Sequence, residues 1–498
     1  METNLTYNTA LLIEVTGIQD YVFGSNRLKD NIGASYIIEN ALLNPEPEKG
    51  DIIREIGESV DFKAHVQFQY IGGGNAFLLV SSTEKAKAFC RVLSQKALEQ
   101  FPGLRLAFGI KDKFRTGEGF KEDRAELAKT INRMKSGLYG ALTPLKPGMA
   151  EDCSSSGLAA EVKDKSIDGA KDDYISSAIA SKRTVNDDAN KWLFRKYKVF
   201  LGEQYLFPTS FEEFGQEESG YIAVVHIDGN GLGKRFMSCK TLGEVKKQSE
   251  AIAKALGDTG QEFMSYICNV MMNDLKNGNL SFKTDKKTKK TYLPIRPLIM
   301  AGDDITFVCE GRLGLHLAEK YLELFEKNNI KACAGIAIVH THFPFSSAYH
   351  QAEKIIARAK ELARSSVPEG DKETVAPSCL EFAFITDSGL EGHNLSAFHG
   401  GPYHVKAGPN PWSAVKKQAL ELKELPAVKI HAIREAVKGQ DADKDYLRHV
   451  LKSSKTAYEL PKNDDKSQWR IIHNAIEILD FYPEILLTET KSTQTQHA

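Results

Sequence analysis

The chain has 498 residues, 42% hydrophobic and 26% charged, with a net charge of -1, so roughly two to four domains can each bury a core and bulk electrostatic binding of nucleic acid is excluded. No apolar run approaches the roughly 20 residues that span a bilayer, and no basic-then-apolar leader opens the sequence, so neither membrane association nor secretion is expected. Seven scattered cysteines without a Cys-x-x-Cys pair argue against a structural zinc site and for reduced thiols in a cytoplasmic protein.

Residues 8–17 read as a buried strand ending in a turn, followed by a helical stretch around Asn26–Leu43. Val66–Tyr70 and Asn75–Val80 read as strands joined by Gly72-Gly73-Gly74. Glu84–Leu98 has helical spacing, and Leu104–Ile110 is another strand. Gly117–Lys135 is helical. Pro144–Asp173, rich in Gly, Ser, Asp and Lys, reads as a mobile connection, and Ala178–Phe200 as a helical bridge.

The opening order then recurs. Tyr221–Asp228 is a strand and Leu242–Leu275 mostly helical; Pro297–Met300 and Ile305–Cys309 form a hairpin, Leu313–Phe325 a helix and Ala332–Val339 a strand. Glu14 aligns with Asp228, and Gly73-Gly74-Asn75 with Gly302-Asp303-Asp304. The expected class is α+β, with two ferredoxin-like βαββαβ units. Leu380–Ile385 adds a strand; Pro402–Leu420, Ala427–Val437, Tyr446–Leu451 and Trp469–Phe481 suggest a helical C-terminal domain. The expected divisions are a first unit over 1–140, a flexible and helical linker over 141–215, a second unit over 216–395, the helical domain over 396–488 and a disordered tail over 489–498.

Ile299–Glu310 carries the chemistry. Ala301-Gly302 turns the chain and sets Asp303 and Asp304 side by side, where two like charges repel unless a cation or solvent neutralises them. A Gly-Asp-Asp turn alone is most often merely solvated. In a βαββαβ sheet, however, the first and third strands are neighbours, which brings Asp228 to the same edge. Three converging acids suit Mg²⁺ or Mn²⁺, and two such ions suit phosphoryl displacement. The loop Gly229-Asn230-Gly231-Leu232-Gly233-Lys234 can turn backbone N–H groups toward a triphosphate, or can simply be a turn that needs glycine. On the helix Ser346–Arg364, Lys360 and Arg364 share a side from which they can reach phosphates. His226, His340 and His342 are expected to be structural or solvent-facing.

Ile227–Lys234, Ala301-Gly302-Asp303-Asp304 and Ala334–Val339 through Lys360 resemble the palm domain shared by GGDEF-type nucleotide cyclases and the large polymerase-cyclase subunit of type III CRISPR complexes. Gly17–Phe23 followed by Arg27–Glu39 resembles that subunit's first, degenerate palm. The resemblance implies metal ligation by Asp228, the Gly229 carbonyl, Asp303 and Asp304, with Lys360 on the triphosphate. It implies nucleotide contacts from Gly229, Asn230, Gly231, Gly233, Lys234, Gly302 and Arg364, and an acceptor nucleotide against Gly73, Gly74 and Asn75. Departures are Ala301 for Gly, Asn230 for an acid and Leu232 for an aromatic; the family's nuclease domain and inter-palm cysteine cluster are expected to be absent. The implied activity converts a nucleoside triphosphate, with ATP as the expected substrate, into a cyclic oligonucleotide or dinucleotide plus pyrophosphate in antiviral defence. The alternatives are a scaffold subunit of an RNA-guided complex, partnered by RNA and other CRISPR subunits, and a stand-alone signalling cyclase; a homo-oligomer is compatible with each.

Overall fold

The computed structural model describes residues 6–43, 51–138, 148–165, 172–214, 220–277, 282–302, 304–371, 374–385, 401–406, 408–438, 458, 460–461 and 466–487. Asp303, the expected helix Tyr446–Leu451 and the C-terminal tail lie outside the described residues.

The first palm runs β1 (Thr9–Thr16), α1 (Ile18–Phe23), α2 (Leu28–Tyr36, continued by the π-helical turn Ile37–Leu42), α3 (Ile52–Gly57), β2 (Val66–Gly72), β3 (Asn75–Val80), α4 (Thr83–Gln100), β4 (Arg105–Lys111) and α5 (Phe120–Leu138). Its sheet order is β2-β3-β1-β4, so β1 lies beside the hairpin strand β3. Short runs of Leu, Ile and Val build β1, whose residues 9–13 are nearly all buried, and Gly17 at φ 64 turns the chain out of it.

The expected mobile connection contains ordered structure. β5 (Val162–Lys165) pairs with β6 (Asp172–Ile175), followed by α6 (Ser177–Thr184) and α7 (Asn186–Leu201). The nine-tenths buried Arg183 explains the order: its guanidinium binds Asp30 on α2 at 3.0 Å, Asp164 at 3.0 Å and Asp173 at 2.9 Å. A planar five-donor group can satisfy three carboxylates from separate segments.

The second palm follows a short β7 (Tyr205–Leu206). It comprises β8 (Tyr221–Gly229), α8 (Leu232–Ser238), α9 (Leu242–Tyr266), α10 (Met272–Asn277), β9 (Thr291–Tyr292), β10 (Ile295–Ala301), β11 (Asp304–Glu310), α11 (Gly314–Lys327), β12 (Ala332–His340) and α12 (Phe345–Ser365). Two further strands, β13 (Cys379–Ile385) and β14 (Tyr403–His404), extend the sheet to the order β10-β11-β8-β12-β13-β14. Helical structure expected from Pro402 therefore begins only at α13 (Trp412–Lys423), because Tyr403 and His404 pair with β13. α14 (Ala427–Lys438) and α15 (Lys466–Glu477) complete the described C-terminal helices.

β8 is central and covered on both faces, as its unbroken apolar run requires. Ala223, Val225 and Ile227 pack with α9, α11 and the C-terminal helices. Ile222 and Val224 point the other way, into a core shared with α12 and the first palm. By strand alternation His226 and Asp228 occupy that second face. Gly335 lets α12 settle on the sheet: a Cβ there would stand 2.4 Å from the Ala352 carbonyl oxygen. Among the described residues no helix is long and apolar enough to cross a membrane.

Candidate functional site

Asp228 and Asp304 are direct cross-strand partners, the last pair of the β8–β11 ladder. Antiparallel partners put their side chains on one face, so the two carboxylates share an edge even though 76 residues of chain separate them. Next along that face comes His226, opposite Thr306. His226 Nδ1 hydrogen-bonds Thr306 Oγ1 at 3.1 Å and lies 3.2 Å from Asp304 Oδ1. Its bond goes to the threonine, which leaves Asp304 Oδ1 buried without a hydrogen-bond partner. From α12, Lys360 Nζ reaches Asp228 Oδ2 at 2.9 Å.

A buried, unpartnered carboxylate oxygen beside a second carboxylate fits a hard divalent cation, whose remaining positions water and phosphate can fill. Among the described residues, which omit Asp303, no group of three or more His, Cys, Asp and Glu side chains forms a metal cluster. The two carboxylates thus make an open edge rather than a closed cage.

The turn that carries these acids meets its counterpart in the first palm. Gly302 (φ 70) and Gly73 (φ 59) both adopt left-handed backbone, and their Cα atoms face each other. A Cβ on Gly302 would lie 3.4 Å from Gly73 Cα. Cavities of about 520 Å³ and 910 Å³ flank this contact, and both are bordered by Gly73, Gly302 and Glu39. The smaller also includes Asp20, Lys135 and Asp304. Tyr70, Phe77, Trp192 and Phe236, with Arg195 and Lys196, give the larger one an apolar body and a cationic rim.

The first palm repeats the arrangement with one carboxylate. Glu14 pairs with Asn75 as Asp228 pairs with Asp304. Lys135, on α5, forms an ion pair with Glu14 as Lys360 does with Asp228. Asn75 donates its amide to the Gly73 carbonyl of its own turn at 3.1 Å.

The remaining expected site residues divide. Gly229 ends β8 opposite Ala332, Gly231 (φ 73) begins α8, and Gly233 borders the larger cavity. Gly74 belongs to the first-palm turn and borders both cavities. Ala301 closes β10 opposite Asp304 as extended strand, so glycine is not needed there. The Asn230 side chain is held within the protein. Its amide donates to the carbonyls of Ala376 (3.3 Å) and Pro377 (2.9 Å), and its oxygen accepts from the Cys333 thiol. Lys234 and Arg364 are exposed; only Lys360 of the α12 pair reaches the acids.

Three neighbours escaped sequence reasoning. His226, set aside as structural, packs against Asp304, and its position two residues before Asp228 was the available signal. Lys135 could have been found by aligning α5 with α12. Glu39 carried no signal. Its carboxyl accepts the Met300 N–H at 3.2 Å; burial raises its pKa, Lys196 opposes the shift and Asp304 adds to it.

Residues 221–367 match the family model of the Cas10/Cmr2 second palm domain. No curated protein matches the chain in sequence. Similar solved structures include a Csm1–Csm4 cassette in complex with one ATP (13% identity, 95% of this chain and 70% of that one, TM-score 0.55). A cassette in complex with cA3 is 13% identical over 96% of this chain and 69% of that one, at TM-score 0.53. Csm1 of T.onnurineus is 16% identical over 97% and 69%, at TM-score 0.52. Residues 221–367 thus form a second palm of the Cas10/Cmr2 type, and the chain as a whole shares the fold of these Csm1 structures.

Proposed function

We propose that the chain is a metal-dependent nucleotidyltransferase that joins nucleoside triphosphates, ATP in first place, into a cyclic oligonucleotide and releases pyrophosphate. The observation that carries this reading is the Asp228–Asp304 pair, with Lys360 on Asp228 and with Asp304 bordering the smaller of the two cavities between the palms. Asp228 and Asp304, with Asp303 from the same turn, would hold Mg²⁺ or Mn²⁺. When bound, two such ions neutralise phosphate charge and acidify an attacking hydroxyl.

The chain's own groups supply orientation. Lys360 is placed to exchange Asp228 for a phosphate oxygen, a charge-assisted contact in either state. The larger cavity offers aromatic surface for a base and a cationic rim for phosphates. On the first palm, the acceptor nucleotide would lie against the Gly73–Asn75 turn, whose Gly73 and Gly74 border the smaller cavity with Lys135 and whose Asn75 borders the larger. The acceptor's 3′-hydroxyl oxygen bonds to the α-phosphorus, the α–β phosphoanhydride bond breaks, and pyrophosphate leaves while the hydroxyl proton passes to solvent. Similar structures solved with ATP and with cA3 support nucleotide and product of this class.

A second reading is a subunit whose turnover requires partners, such as RNA and other CRISPR subunits; several of the similar structures are cassettes of Csm1 with Csm4. Both are tested by incubating purified protein with Mg²⁺ or Mn²⁺ and each labelled triphosphate, then assaying pyrophosphate and phosphatase-resistant products. Asp303→Ala with Asp304→Ala is expected to abolish product, and Asn75→Ala to leave metal binding intact. Wild-type protein inert alone and active within a complex favours the subunit reading. Inertness in both settings sinks the enzyme.

A further inference from the structure

β10 is the edge strand of the second palm, and it runs directly into the turn that bears the acids. Its ladder with β11 slips between Pro297 and Ile299, so Leu298 is a bulge residue. A bulge bends a strand and leaves one residue without its ladder partner. An edge strand also has backbone groups on its free side that must find partners when buried.

Two side chains of the first palm supply them. Ser35 Oγ donates to the Leu298 carbonyl, and Glu39 Oε1 accepts the Met300 N–H at 3.2 Å. Ser35 and Glu39 are four apart, on one face where α2 passes into its π-helical turn. Leu298 and Met300 are two apart and so lie on one side of the strand. The spacings match, and the helix grips the strand as a neighbouring strand would. Around the grip, Ile32 and Ile38 share a buried cluster with Leu298 and Ile299. Glu39 also borders both cavities.

We infer that Ser35 and Glu39 are positioning residues through which the first palm fixes the bulged edge strand of the second, and with it the Gly302–Asp304 turn. The first palm is then a mechanical part of the acidic site. Displacing the strand would move the orphaned Asp304 oxygen relative to Asp228 without altering either acid. This goes beyond the proposed nucleotidyl transfer, resting on it only for the role of the acids, and it is testable without turnover.

The experiment compares the full chain with Glu39→Ala, Glu39→Gln, Ser35→Ala and Asp304→Ala. It reads amide exchange over residues 295–302, Mn²⁺ affinity, and kcat and KM separately. Glu39→Ala and Ser35→Ala are expected to speed exchange in that segment and to weaken Mn²⁺ about tenfold, the scale of losing a group that orients a ligand. The fall in activity is expected in kcat, with KM little changed. Glu39→Gln keeps an oxygen for the Met300 N–H and should restore protection and Mn²⁺ binding. Wild-type exchange rates in Glu39→Ala overturn the inference, as does Mn²⁺ binding in Glu39→Gln as weak as in Glu39→Ala. If wild type binds Mn²⁺ through Asp304 and the variants behave as stated while no protein makes product, the transferase reading falls and the clamp stands.

Discussion

Lys360 Nζ sits 2.9 Å from Asp228 Oδ2, closing an ion pair between α12 and the end of the central strand. Both side chains are part-exposed, the lysine 26% and the aspartate 32%, so the pair can open when either finds a better partner. A divalent cation would compete for Asp228, and a triphosphate would compete for Lys360. Binding both together satisfies every charge, which predicts that metal and nucleotide bind synergistically.

Removing the lysine separates these effects. Lys360→Met is expected to leave Mn²⁺ affinity unchanged or tighter, because Asp228 loses its competitor. The same change should weaken triphosphate binding by roughly 10- to 100-fold, the worth of a hydrogen bond to a charged group. Calorimetric titration with Mn²⁺ alone, and then with a non-hydrolysable triphosphate in Mn²⁺, decides it. Weaker Mn²⁺ binding by the variant would show that Lys360 supports the acids rather than competing with cation.

The turn-to-turn contact makes a different demand. Gly302 has φ 70, and its added Cβ would be held 3.4 Å from Gly73 Cα. Gly302→Ala therefore meets both left-handed strain and a contact with backbone that cannot rotate away, at a cost of about 1 kcal/mol or more. The expected outcome is a lower unfolding midpoint in urea together with weakened Mn²⁺ binding. Gly72, with open space where a Cβ would be, is the control position; Gly72→Ala should do much less.

These relationships differ in how far they could be read before the structure. The Asp228–Asp304 pairing was legible because the order of a βαββαβ sheet makes the first and third strands neighbours, and alternation then fixes the face. Lys360 was legible as a basic position, four residues before Arg364, off the apolar face of an amphipathic helix. The Ser35–Leu298 and Glu39–Met300 bonds were not, since they depend on how two palms dock across some 260 residues of chain. The bonds of the Asn230 side chain were not legible for a related reason: the carbonyls of Ala376 and Pro377 that accept from its amide come from beyond α12. Composition suggested mobility over Pro144–Asp173, and in the described part of that span one buried arginine ties Asp164 and Asp173 to Asp30.

The C-terminal helices are tied to the second palm through Glu319 of α11. Its carboxylate accepts from Lys416 Nζ at 2.5 Å, Trp412 Nε1 at 3.1 Å and Tyr482 Oη at 3.0 Å, all buried. Removing one member of a buried ion pair leaves the other charge uncompensated, typically at about 3–5 kcal/mol. Glu319→Ala is expected to cost that order of stability, and Glu319→Gln less. Lys416→Met with Glu319→Leu should recover much of the loss. Urea unfolding of the four proteins measures it, and a double variant no better than Glu319→Ala would mean that the tyrosine and tryptophan bonds dominate.

The same network contains a titratable group whose protonation the fold resists. His316 hydrogen-bonds Tyr482 Oη through Nδ1 (2.9 Å) and Tyr266 Oη through Nε2 (2.6 Å). Tyr482 spends its proton on Glu319, so its oxygen accepts from His316 Nδ1–H, and Nε2 must accept from Tyr266. That is a neutral imidazole with both nitrogens satisfied. Burial, reinforced by Lys416 and Lys320, pushes its pKa down from 6.5 to about 3. Between these values the unfolded chain binds a proton that the folded chain refuses, so this group's contribution is favourable above pH 6.5 and is lost as pH falls toward 3. His316→Gln should be less stable than wild type at pH 7.5, having lost bonds to the tyrosines. From pH 6 to pH 4, however, its stability should fall less steeply, by about 1.4 kcal/mol per pH unit, one proton's worth. Carboxylates elsewhere titrate alike in both proteins and cancel in the comparison. Trp412 and Trp469, both buried among the C-terminal helices, report unfolding by fluorescence; parallel pH profiles for the two proteins would show that His316 protonates freely in the folded state.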